Sequence, residues 1–155
     1  MKKLHLAGML AMVTVSGTAL AGDTAFTPDA AATWSARTLL MAKVYDDAAA
    51  GTLTKQSFAV ACDGLTGEQM KHEYGKEPRW ALGVQLEVCS GFDGYAGKFG
   101  GSKKPCDMFK KGLKDLDDAS SPGTPPEVVN AAAALRQTLT VILAASENGR
   151  KGCRL

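Results

Sequence analysis

Four cysteines, at positions 62, 89, 106 and 153, stand downstream of an export-type leader, and this pairing constrains the fold more than any other feature of the chain. Lys2 and Lys3 open the leader, His5 to Val15 is mostly apolar and free of acids, and Ala19-Leu20-Ala21 is a small-x-small cleavage site before Gly22-Asp23. Residues 1–21 therefore read as a cleaved secretory signal peptide, too short in its apolar centre for a good membrane span. The mature domain, residues 22–155, is expected to be exported and soluble, and the short Lys-Lys leader points to a bacterial periplasm. No cysteine follows the cleavage site to carry a lipid anchor, and no later stretch offers the ~18 uncharged apolar residues of a membrane span.

In an oxidising compartment an even set of spaced cysteines most simply forms disulfides, here two, each contributing about 2–4 kcal/mol. Separations of 27, 17 and 47 residues leave no C-x-x-C, so a thioredoxin-type redox site and a zinc ribbon are disfavoured, and C-x-x-C-H for haem is absent. Of the three pairings, Cys62–Cys89 with Cys106–Cys153 is preferred, because the second bridge would tie the start of one helix to the tail after the last. Cys62–Cys153 with Cys89–Cys106 stays close behind. A free catalytic thiol is the minor reading.

The chain of 155 residues is 45% hydrophobic and 22% charged, one domain's worth of globular sequence. Its 18 Lys+Arg against 16 Asp+Glu give +2, but Lys2 and Lys3 lie in the leader, so the mature chain is neutral. A neutral domain carries no electrostatic footprint for nucleic acid or anionic lipid.

Periodicity is helical throughout, and no segment alternates with period two. Thr27-Pro28-Asp29 is a helix start, and Trp34, Met41, Val44 and Ala48 share a face before Gly51. Thr54 can cap a short helix through Cys62, and Glu68 to Lys76 can add a turn or two. After Pro78 the positions Trp80, Val84, Val88, Gly91 and Tyr95 form a stripe. Pro105 opens a helix with Phe109, Leu113 and Leu116 on one side, and Thr124-Pro125-Pro126-Glu127 reads as a capping box for a last helix to about Ser146. The expected fold is all-α, a small disulfide-stapled bundle of four main helices plus short ones.

Chemistry is hard to find. The mature chain has one histidine, His72, in the polar stretch Met70-Lys71-His72-Glu73-Tyr74, which reads as surface. Asp115, Asp117 and Asp118 lie beside Lys110, Lys111 and Lys114, which suggests a solvated face with i,i+3 and i,i+4 ion pairs rather than a metal site. Glu77 and Glu87 could serve as paired acids only if the fold brought them together. No G-x-S-x-G, S-x-x-K or phosphate loop occurs. The expectation is a protein that is no enzyme and uses no metal or cofactor.

The most unusual stretch is Cys89-Ser90-Gly91-Phe92-Asp93-Gly94-Tyr95-Ala96-Gly97. Glycines inside a helix cost roughly 1 kcal/mol each against alanine, so something must offset them. One reading is close helix packing through Gly91, Gly94 and Gly97. The other is a frayed helix end that presents Phe92, Asp93 and Tyr95 to a partner.

The run Cys89-Ser90-Gly91-Phe92 followed by Gly94-Tyr95, in a small exported helical chain, resembles periplasmic immunity proteins of bacterial type VI secretion, those that antagonise peptidoglycan amidase effectors. In such proteins a Cys-x-Gly-Tyr-x-x-Gly stretch sits on a helix; here Phe92 stands where Tyr is usual, and 64–76 has no counterpart. The resemblance implies a protein that binds a secreted amidase toxin and covers its active-site cleft, with homodimers common among such proteins. Candidate contacts are Phe92, Asp93, Tyr95, Lys98 and Lys103 in one surface, 92–104, and Ser120 and Ser121 in another, 120–124. The alternatives are a lysozyme inhibitor or chaperone of the same compartment, and a small hydrolase using His72 with Glu73 or Glu77.

Overall fold

The structure, a computed structural model, describes residues 25–49, 62, 75–95 and 104–147. Among them the elements are four α-helices and one 3-10 turn: α1 Pro28–Ala49, α2 Arg79–Tyr95, α3 Pro105–Asp115, the 3-10 turn Leu116–Ser120 and α4 Pro126–Glu147. The all-α architecture expected from periodicity is what forms. The short helix expected to end at Cys62 touches the described residues only at Cys62, which is helical. The leader, the stretch 68–74 with His72, and the tail with Cys153 lie outside the described residues.

Helix starts follow the local chemistry. Thr27 Oγ1 accepts a bond from the Ala30 amide (3.3 Å) and the Thr27 carbonyl one from the Ala31 amide (2.9 Å), the expected N-cap before Pro28. Pro105 is the first residue of α3 and Lys104 its N-cap, without a side-chain cap bond. At α4 the register differs from a Thr124 capping box. The helix begins at Pro126, and the Pro125 carbonyl accepts from the amides of Val128 (3.0 Å) and Val129 (3.1 Å). Pro126 then occupies the first helical position, where its missing N–H is not needed.

α1 packs chiefly on α4, and α2 chiefly on α3. Ala30, Ala31 and Ala42 of α1 and Ala131 and Ala132 of α4 are buried, so small side chains line the inner faces of the first pair. Trp34, Met41, Val84, Val88, Phe92, Phe109, Leu116, Leu135 and Leu139 are fully buried and draw every helix and the 3-10 turn into one core. Burying each such side chain contributes about 1.5–3 kcal/mol. Phe26 (half-buried), Trp34 and Trp80 meet edge to face, with ring centroids 5.5–6.0 Å apart.

Two side chains link the pairs reciprocally. The Trp34 indole N–H donates to the Ala81 carbonyl of α2 (2.8 Å), and Gln85, one turn on from Ala81, donates Nε2 back to the Trp34 carbonyl (3.3 Å) and to Thr38 Oγ1 (3.4 Å). The Cys62–Cys89 disulfide forms, with Cα atoms 5.7 Å apart. Cys106 is disulfide-bonded as well. The bridge to Cys89 thus follows the preferred pairing and not the one that joins Cys89 to Cys106.

Candidate functional site

Of the first surface suggested by the sequence, 92–104, the structure describes 92–95 and 104, and the end of α2 is set by its seam with α3. A Cβ on Gly83 would lie 2.9 Å from Asp115 Oδ2, one on Gly112 2.8 Å from Val88 Cγ2, and one on Gly91 2.7 Å from Phe109 Cε1. Residue numbers rise along one helix as they fall along the other, so α2 and α3 form an antiparallel hairpin whose glycines let the backbones approach. Each helical glycine loses roughly 1 kcal/mol against alanine, and the close contact offsets it. Of the two readings of 89–97, close packing is the one that Gly91 follows.

Phe92 accordingly needs correcting as a candidate contact. It is fully buried in the core, because α2 continues through Tyr95 instead of fraying and turns this ring inward with Val84 and Val88. Asp93, one position on, is half-buried and already has an interaction partner. Tyr95 is the last residue of α2. Lys98 and Lys103, in the stretch that joins α2 to α3, lie outside the described residues.

The second surface is fully described. Ser120 and Ser121 are exposed, as are Pro122 and Gly123. Gly123 has φ +89°, a conformation that side-chain-bearing residues rarely adopt, and the turn closes with the Thr124 amide donating to the Ser121 carbonyl (3.2 Å). The Ser121 amide donates to the Asp118 carbonyl (3.0 Å), continuing the 3-10 turn into the loop. Leu116 and Ala119 are buried beneath, so this exposed turn sits on a packed base.

The charged groups also differ from expectation. Asp117 does not pair along its own helix but reaches Arg136 of α4, at 2.8 Å. The residue four before Asp117 is Leu113, so that register offers no cation, and the partner comes from α4 instead. Lys111 pairs across the seam with Glu87, whose side chain is only 9% exposed. The other carboxylate oxygen, Oε2 of Glu87, is buried without a hydrogen-bond partner. Glu77 lies two residues before α2 and Glu87 more than two turns into it, so the helical rise from Arg79 to Glu87 alone is about 12 Å, beyond the spacing of glycosidase-type paired acids. Among the described residues no three His, Cys, Asp or Glu converge as a metal site, and no helix is long and apolar enough to cross a membrane.

No protein-family model matches the chain, and neither a curated protein nor a solved structure shows significant similarity to it. The functional reading therefore stands on the residues themselves. Sequence reasoning missed Gln85 and the Glu87–Lys111 pair, the polar groups that join the helices. Gln85 carries a signal, a polar residue next to Val84 in an otherwise apolar stripe, and Gly112 carries another, a glycine between lysines in a strongly amphipathic helix.

Proposed function

We propose that this chain is an exported immunity protein that binds a cell-wall amidase toxin of type VI secretion and blocks its active-site cleft. The observation that carries the reading is the stapled hairpin: α2 and α3 in glycine-mediated contact, with Cys89 of α2 bonded to Cys62. A blocking protein needs a surface that loses little freedom on binding, and such preorganisation is what converts contact area into affinity. The proposed contacts are Ser120, which ends the 3-10 turn, and Ser121, which opens the Ser121–Thr124 turn, together with the stretch that joins α2 to α3, including Lys98 and Lys103. Phe92 supports the frame from within. The leader and the disulfide both suit an exported protein.

The test is co-expression. A Cys–His hydrolase encoded beside this chain's gene is directed to the periplasm with and without it, and cell lysis is followed by optical density. Protection, lost on Ser121→Arg with the fold intact, supports the reading. Lysis that this protein does not prevent overturns it. Unchanged protection by His72→Ala separates a blocking protein from a hydrolase that relies on this histidine.

A further inference from the structure

The two helix pairs are not equally secure. α1 and α4 are the longer helices, 22 residues each, and they are rich in alanine, the best helix former. α2 is intrinsically the weak helix, because Gly83, Gly91 and Gly94 interrupt it within 17 residues. Gly91 cannot be exchanged for a better helix former, since the Phe109 ring of α3 occupies the space a side chain would need. Among the described residues three buried side-chain polar atoms lack a hydrogen-bond partner; two of them, Gln85 Oε1 and Glu87 Oε2, belong to α2, and the third is Ser35 Oγ of α1. Such atoms favour any opening that returns them to water. One covalent tie reaches this helix: Cys89, two residues before Gly91, is bonded to Cys62, which precedes the hairpin in the chain.

We propose that the α2–α3 hairpin is a redox-locked unit. With the Cys62–Cys89 bond closed the hairpin holds its pairing. With the bond reduced it opens as a cooperative unit of its own, ahead of the α1–α4 pair. Closing the bond consumes two thiols and one disulfide oxidant. With glutathione disulfide, the Cys62 and Cys89 sulfurs become bonded to each other, the glutathione S–S bond breaks, and the two thiol hydrogens end on two molecules of glutathione. Excess thiol runs the exchange backwards. A chain made in a reducing compartment thus carries an open hairpin, and acquires its rigid form where an oxidant closes the bond. This inference does not depend on the immunity reading, because it concerns the folding of one half of the molecule and not what that half binds.

The experiment is native-state amide hydrogen exchange on the full mature chain and on Cys62→Ser, which leaves Cys89 in its packed position and the Cys106 disulfide in place. Protection of 82–94 and 108–115 is expected to fall by about tenfold or more relative to that of 34–44 and 131–143. An equal fall in all four helices would mean a general stabiliser, and no fall an idle bridge; either overturns the proposal. If Cys62→Ser does not yield folded protein, the wild-type chain is titrated with reduced glutathione, its thiols are trapped with maleimide, and exchange is read on the species labelled at Cys62 and Cys89 alone. There too, selective loss in α2 and α3 supports the lock, and uniform loss overturns it.

Discussion

At Gly91 and Gly83 the same substitution should give opposite results, because the two added methyl groups meet different neighbours. On Gly91 a methyl would press into the Phe109 ring at 2.7 and 2.9 Å and also meet Met108 Cβ at 3.0 Å, all within the packed seam. Gly91→Ala is therefore expected to destabilise by about 1–3 kcal/mol despite its better helix propensity, read as a lower denaturation midpoint. On Gly83 the close atom is Asp115 Oδ2, the far end of a half-buried side chain that can swing aside. Gly83→Ala is expected to be neutral or to stabilise by up to about 1 kcal/mol in the same measurement. Gly112 belongs with Gly91, since its neighbour is the branched, fully buried Val88.

The helices themselves were largely legible in the chain. Thr27-Pro28 and Lys104-Pro105 mark starts by chemistry that acts within a few residues, and the spacing of Trp34, Met41 and Val44 names a buried face. Partnership between helices was not legible, because periodicity tells which face is covered and not by what. Phe92 shows the difference: a ring flanked by glycines can be read as an exposed tip or as a core residue beneath a close approach, and only Phe109 on the other helix decides. Asp117 shows another limit, since its partner Arg136 stands on a different helix, 19 residues further along the chain. The candidate surface at Ser120 and Ser121 was legible as a loop, while its Gly123 turn and its buried base were not. Two predictions belong at this scale. Thr27→Ala should lower stability by about 1 kcal/mol through loss of the cap of α1, measured by urea unfolding. Arg136→Ala, at an exposed ion pair, should change it by less than about 1 kcal/mol in the same assay.

For the molecule as a whole, the Cys62–Cys89 bond closes a loop with a sequence separation of 27. The chain-entropy relation assigns such a loop about 3.5 kcal/mol, a large share of the stability of a domain this size. Cys62→Ser should lower the stability of the α2–α3 unit by about 2–4 kcal/mol, read as an earlier first transition in guanidinium, with Cys106 still bonded.

The chain's two tryptophans, Trp34 and Trp80, sit edge to face in a single aromatic group, one on the first helix and the other on the second. All indole emission therefore originates at one joint, the place where the two halves of the molecule meet. A red shift of that emission is a clock for the opening of this joint.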